Sequence, residues 1–317
     1  MKYYIGIDLG GTNIKAGVVN EEFEIIAKAT CKTNLPRPAE EICEDMAKVA
    51  LEAVKNAGLE IEQIESVGIG TPGTANSDTG VIEYSNNLGF LNFHVVDLMK
   101  KFIDKPCYVE NDANAAAYGE YVAGAAKGAN DAVCITLGTG VGGGIILNGS
   151  LFTGGMGNGV ELGHFIMNMA AGEKCSCGVR GCFESCCSAT ALIREGVRSL
   201  SSAPNGMIAA LSHGDSANIN AKLVIDCARA GDPAAKAIFT EYAHALGCGI
   251  ASLINIIDPE RIAIGGGVSG AGEFLLKPVR EYVKQMSFYD NFASIVKATL
   301  GNDAGLVGAA LLHKTMH

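Results

Sequence analysis

IGIDLGGTNIKAGVVN (residues 5–20) and VCITLGTGVGGGIILN (residues 133–148) are one pattern written twice. Laid over one another without gaps, Ile7 meets Ile135, Leu9 meets Leu137, Gly10 meets Gly138 and Asn20 meets Asn148. Each is an apolar run, a glycine-rich turn and a second apolar run, which predicts a β-hairpin rather than a strand-to-helix crossover. Two such hairpins 128 residues apart imply two similarly built α/β lobes with a cleft between them. Backbone amides exposed by the turn Gly10-Gly11-Thr12 can cradle phosphate oxygens, and the Thr12 hydroxyl adds a donor. Asp8, at the end of the first strand, offers the hard oxygen ligand that a hydrated Mg²⁺ takes. A nucleotide cradled by both turns would carry its phosphates in that cleft.

The rest of the composition narrows the class. A chain of 317 residues with 48% hydrophobic and 18% charged residues builds a sizeable core in one large domain or two ordinary ones. No run reaches the roughly 18 apolar residues of a membrane span, and the start, MKYYIGIDLGG, lacks the apolar core of a secretory signal. Eleven cysteines, several alone in apolar settings such as Cys134 and Cys248, suit a reducing cytoplasm better than a disulfide framework. A net charge of −10 argues against nucleic acid as a main partner, since phosphate contacts need clustered Lys and Arg.

Between the hairpins, Ile42, Met46, Val49, Ala50 and Val54 recur at helical spacing, with Gly58 as a stop. The turn Thr71-Pro72-Gly73 opens a polar segment with Asn76, Asp78, Asn86 and Asn87, which reads as a loop able to hydrogen-bond a polyol. Glu110-Asn111-Asp112-Ala113-Asn114 opens a small-residue helix, and three polar residues in a row exceed what a helix cap needs. Downstream, a long small-residue helix is expected over 234–254, a strand over 261–264, a closing strand over 295–300 and a last helix from 301 to about 313.

The stretch ELGHFIMNMAAGEKCSCGVRGCFE (residues 161–184) carries a different chemistry. Cys175, Cys177 and Cys182 with His164 upstream make a complete tetrahedral set for zinc, leaving no position open for water. Free cysteines commonly serve as small core residues, but glycines separate these and no apolar periodicity accompanies them. The reading is a structural zinc that pins a loop carrying Glu161 and Glu184.

Two segments formally match a dinucleotide fingerprint. Gly138-x-Gly140-x-x-Gly143 runs into a strand where a helix is required. Gly265-x-Gly267-x-x-Gly270 has a strand before it, a helix after it and Asp290 downstream, so it is the serious rival, an NAD-dependent enzyme. A turn of this kind equally accommodates an adenine and ribose against the backbone.

Taken together, DLGGT (8–12), ENDANAAAYGE (110–120), LGTGVGGG (137–144), ELGH (161–164), CSCGVRGCFE (175–184) and IGGGV (264–268) strongly resemble the ROK family of bacterial sugar kinases and related repressors. Within it, the chain is most similar to bacterial ATP-dependent glucokinases. The resemblance implies a two-lobed actin/hexokinase-like (ribonuclease H-like) α/β fold with the active site in the inter-lobe cleft. Residues 1–117 would form a small lobe, completed by a C-terminal helix at about 302–317, and 118–301 a large lobe with the zinc loop. It implies ATP, Mg²⁺ and a structural Zn²⁺, and phosphorylation of a hexose at its 6-hydroxyl with Asp112 as general base. Gly73, Asn86, Asn111, Glu161, His164 and Glu184 would hold the sugar. Asp8, Gly10, Gly11, Thr12, Lys15, Gly138, Thr139 and Gly140 would line the phosphates and metal, and Gly266, Gly267 and Val268 the adenosine. The zinc ligands would be His164, Cys175, Cys177 and Cys182, with Cys186 and Cys187 as spare thiols nearby. The family also implies a homodimer or tetramer. Fructose, allose and N-acetylmannosamine are alternative substrates. A sugar-sensing repressor of the family would carry a DNA-binding segment ahead of the first turn, where only seven residues precede Asp8.

Overall fold

The computed structural model describes residues 1–157, 159–168 and 172–315. Its strands in chain order are β1 (Tyr3–Leu9), β2 (Asn13–Asn20), β3 (Ile25–Lys32), β4 (Ile64–Thr71), β5 (Thr74–Asn76), β6 (Val81–Ser85), β7 (Phe90–Phe93) and β8 (Cys107–Asn111). They continue with β9 (Ala132–Leu137), β10 (Val141–Leu147), β11 (Ser150–Phe152), β12 (Arg261–Gly265) and β13 (Ser294–Lys297). The helices are α1 (Ala39–Asn56), α2 (Val95–Phe102), α3 (Asp112–Ala123), α4 (Phe183–Cys187) and α5 (Ala189–Ser202). After them come α6 (Met207–Leu211), α7 (Ala221–Ala230), α8 (Pro233–Ile257), α9 (Glu273–Met286) and α10 (Ala304–Ala310). Three sheets result, in strand order β3-β2-β1-β4-β8, β11-β10-β9-β12-β13 and β5-β6-β7.

Both glycine-turn hairpins form. β1 runs antiparallel to β2, with Asp8 opposite Lys15, and β9 neighbours β10 in the second sheet. The turns differ in one detail: Gly10 N–H closes onto Asn13 O at 2.9 Å, whereas Gly138 N–H closes onto Gly140 O at 3.0 Å, a tighter loop. β1 is parallel to β4, and β4 to β8, so the carboxyl ends of these three strands share one edge.

The chain divides into two compact units, Met1–Ala132, Gly143–Val160 and Thr299–His317 in one, Val133–Gly142 and Glu161–Ala298 in the other. The expected boundary at 117/118 falls inside α3, an unbroken helix, and the first unit continues to Ala132. Its core is apolar: Ile5, Ile7, Leu9 and Ile14 are wholly buried, each stabilising the fold by about 1.5–3 kcal/mol. The five apolar positions read at helical spacing in α1 are all buried against it. α10 packs against β1, β4 and α3 at backbone distance. A Cβ at Gly6 would strike Leu306 O, one at Gly68 Ala309 O, and one at Gly308 Ala115 O, so glycine is required at these crossings.

The second unit is largely helical around β9, β12 and β13. α8 is long and apolar enough to cross a membrane by length and composition, but over half of that window is buried inside the protein, as in a core helix. Differences from the sequence reading have local causes. The polar segment with Asn76, Asp78, Asn86 and Asn87, expected as a loop, forms the small sheet β5-β6-β7, whose strands of three to five residues are separated by the turns Ser77-Asp78-Thr79-Gly80 and Asn86-Asn87-Leu88-Gly89. The closing strand stops at Lys297. Ala298 N–H makes a last bond to Ile264 O, and the buried carboxylate of Glu120 then takes the amides of Thr299 at 3.1 Å and Leu300 at 2.7 Å. The last helix is broken into a 3-10 turn, α10 and a second 3-10 turn.

Candidate active site

In the first unit, the shared carboxyl edge of β1, β4 and β8 gathers the predicted residues. Asp8, Gly70 and Glu110 are in register on adjacent strands, as are Thr71 and Asn111 one position on. Asp8 Oδ2 pairs with Lys15 Nζ at 3.0 Å. Gly11 and Thr12 are exposed at the turn tip, and a Cβ at Gly11 would meet open space. Wholly buried Thr33 pins the turn from behind, donating its hydroxyl to Gly10 O at 2.6 Å and its N–H to Thr12 O at 3.0 Å. An aspartate beside exposed amides offers one carboxylate for Mg²⁺ and leaves the remaining positions for water and phosphate oxygens, the usual arrangement for this ion.

Asp112 is the first residue of α3, half-buried, with Oδ1 accepting the N–H of Ala113 at 2.8 Å. Asn111 is its cap: Oδ1 accepts from Ala113 at 2.9 Å and Asn114 at 3.2 Å, while Nδ2 donates to Gly73 O at 3.0 Å. Gly73 has φ +99°, and a Cβ there would collide with Tyr84 O, so the contact with Asn111 depends on glycine. Asn86 is exposed in the turn after β6, accepting a 3.3 Å bond from the Tyr84 hydroxyl. Glu110 was not singled out as a site residue from sequence. It is buried, and its Oε1 accepts the Asn111 N–H at 2.8 Å and Asn114 Nδ2 at 3.0 Å, while Oε2 accepts Ser77 Oγ at 2.8 Å. An acidic residue closing an otherwise buried strand was the available signal.

In the second unit, the turn at Gly138, Thr139 and Gly140 is docked on the start of α5. Ala189 N–H donates to Gly138 O at 2.8 Å and Thr190 Oγ1 to Thr139 O at 2.6 Å. Gly266, at φ +79°, abuts the end of β9 so closely that a Cβ would strike Leu137 backbone atoms. Val268 is buried in the 3-10 segment that follows, so the two glycine segments predicted for nucleotide lie together. That segment and Gly272 separate β12 from α9, so no helix opens at the third glycine as a dinucleotide fingerprint requires.

Glu161 is exposed and precedes a 3-10 turn ending at His164, whose N–H donates to the Glu161 backbone carbonyl at 3.0 Å. His164 Nδ1 lies 3.6 Å from Cys175 Sγ, and Cys177 Sγ 3.7 Å from Cys182 Sγ, with all four ligand atoms within 4.8 Å of one another. Thiolates about 2.3 Å from a tetrahedral zinc stand about 3.8 Å apart, so this set fits the ion. Burial pushes the Cys175 thiol up and the Cys182 thiol up to about 12, whereas the Val179 N–H lowers that of Cys177. Cys186 and Cys187 stay outside the cluster, Cys187 wholly buried. Behind it, Phe183 stacks on Phe165 at 4.8 Å and donates its N–H to Phe165 O at 2.9 Å, fixing the start of α4 and with it Glu184.

The ROK family profile matches residues 4–316. A glucokinase of Halalkalibacterium halodurans is 36% identical over 315 residues, covering 99% of this chain and 95% of that protein. One from Thermotoga maritima is 38% identical over 316 residues, covering 98% and 96%. Among solved structures, a ROK family glucokinase from Streptomyces griseus in complex with glucose and AMPPNP matches with a TM-score of 0.83 at 37% identity, covering 98% of each chain.

Proposed function

The chain belongs to the ROK family, with the two-domain actin/hexokinase-like fold, and on that premise we propose that it is an ATP-dependent kinase converting glucose to glucose 6-phosphate. The observation that carries the reading is the common edge of β1, β4 and β8, where Asp8 beside the glycine turn and Asp112 at the start of α3 stand on closely spaced elements.

Phosphoryl transfer asks chiefly for positioning and charge neutralisation. The exposed turn tips at Gly11 and Thr12, with Thr139 and Gly140, would take phosphate oxygens on their amides, while Gly10 and Gly138 close the two turns with their own N–H groups, and Lys15 adds a positive charge. Asp8 would hold Mg²⁺, which when bound neutralises phosphate charge. Gly266, Gly267 and Val268 would receive the adenosine. Asp112 takes the proton of the sugar's 6-hydroxyl as that oxygen bonds to the γ-phosphorus and the bond to the β-phosphate oxygen breaks, releasing ADP. The carboxylate is oriented by the Ala113 N–H at a helix start, where negative charge is favoured. Asn111, Glu161, His164 and Glu184 are assigned to ring hydroxyls, with Gly73 and Asn86 in the loop after β4.

His164, Cys175, Cys177 and Cys182 would hold a zinc that does no chemistry and shapes the segment carrying Glu161 and Glu184. His164 serves both purposes if Nδ1 faces the metal and the other nitrogen the sugar. All eleven cysteines are free, which agrees with a cytoplasmic location.

The test is an ATP-dependent assay over glucose, fructose, allose, mannose and N-acetylmannosamine, with and without Mg²⁺. Glucose should give the highest kcat/KM, and Mg²⁺ should be obligatory. Preference for another hexose would move the substrate assignment; no phosphorylation of any would overturn the kinase reading.

A further inference from the structure

Glu184 joins two segments that the sequence presents separately. Its Oε2 accepts the N–H of Val141 at 3.1 Å, at the far end of the turn after β9. Its Oε1 accepts the hydroxyl of Ser176 at 2.6 Å and the thiol of Cys175 at 3.3 Å, a longer and weaker bond that a metal-bound thiolate could not donate. The fit against the turn is close: a Cβ at Gly140 would collide with Oε2. Ser176 is exposed and stands between Cys175 and Cys177, two members of the Cys/His cluster. Whatever fixes those two neighbours fixes the direction of its hydroxyl. A hydrogen bond to a carboxylate is short, strong and directional. The first half of the turn has its own anchors in Ala189 and Thr190. The Val141 end is held by the carboxylate, whose other oxygen Ser176 holds.

We propose that Ser176 is a positioning residue: through Glu184 it sets the 138–141 turn, so that metal occupancy of the Cys/His cluster tunes the affinity of that turn for nucleotide phosphate. The inference rests on the reading of the turn as part of the phosphate cradle. A metal on Cys175 and Cys177 immobilises the residue between them and keeps Glu184 anchored at both oxygens. Loss of the metal frees the 175–177 segment, so that the bonds from Ser176 and the protonated Cys175 no longer hold Glu184 in one place against Val141.

The experiment measures binding of a non-hydrolysable ATP analogue by calorimetry, without sugar, on zinc-replete and chelator-treated full-length protein. Metal analysis and circular dichroism accompany every sample. Zinc-replete Ser176→Ala should keep its zinc and bind the analogue up to about tenfold more weakly, since the worth of the lost bond to a charged group bounds the effect of misplacing the turn. In the kinase assay its KM for ATP should rise more than its kcat falls. Ser176→Thr retains the hydroxyl and should restore wild-type binding. Chelation should weaken binding in the wild type and add nothing in Ser176→Ala. Wild-type affinity in zinc-replete Ser176→Ala, or additive losses from the substitution and from chelation, would overturn the coupling while leaving the kinase reading intact. A wild-type protein that binds no ATP analogue would overturn both.

Discussion

Asn114 donates its side-chain amide to Glu110 Oε1 at 3.0 Å, tying the first turn of α3 to the strand before it. Asp112 lies between the two. The same carboxylate accepts the Asn111 N–H and the Ser77 hydroxyl, so three donors fix it and it fixes the backbone on which Asp112 sits.

Glu110→Ala should therefore lower kcat by about 10²-fold through misplacement of Asp112, with a smaller change in KM. Glu110→Gln should keep most of the activity: its carbonyl oxygen can accept both N–H groups, and its amide can donate to Ser77. Steady-state kinetics of the two variants decide between geometry and charge. Equal losses in both would assign Glu110 an electrostatic role instead.

Asp112→Asn preserves size and the bond from the Ala113 N–H but removes the proton acceptor. Turnover should fall by about 10²–10⁴-fold, the usual worth of a general base. Glucose binding, measured by calorimetry without nucleotide, should remain within a few-fold of wild type. Near-normal turnover would remove Asp112 from the base assignment.

Much of this site was legible because its elements repeat local patterns. The two hairpins announce themselves by apolar runs around glycine turns, and α1 by its spacing of buried residues. The cysteine set was legible from residue type and spacing, but the exclusion of Cys186 and Cys187 was not. For Cys187 it follows from α4, which turns that residue into the core. β3 was harder, since its Ile-Ile-Ala-Lys-Ala-Thr-Cys-Lys run has weak strand formers at four of eight positions. The bonds that matter most at the site are long-range. Glu184 reaches Val141 across 43 positions and Thr33 reaches Gly10 across 23, and no periodicity encodes such pairs.

Asp232 offers a stability test away from the chemistry. It caps α8, with Oδ1 accepting from Ala235 at 2.8 Å and Oδ2 from Met207 at 2.8 Å. These amides, Met207 first, hold its carboxyl below the usual range. Asp232→Ala should cost about 1–2 kcal/mol near neutral pH. Because the folded pKa is lowered, the contribution is complete above the unfolded value of about 3.9 and fades as pH falls through the folded one. Urea unfolding should show the gap between wild type and variant narrowing below about pH 4. A gap that stays constant in acid would mean that the ionised cap is not its source.

Cys177→Ser tests the metal reading at the ligand whose thiol the Val179 N–H lowers. Serine is a poor zinc ligand, so metal content should fall well below one ion per chain. If zinc holds the segment from His164 to Glu184, glucose affinity falls with it, because His164 and Glu184 are both assigned to the sugar. Through Ser176 and Glu184, nucleotide affinity should fall as well, by no more than Ser176→Ala alone produces. Metal analysis and calorimetry on the same preparation check all three. A zinc-free protein with full activity would show that the cluster is dispensable, and the thiols would then be explained as packing in the loop.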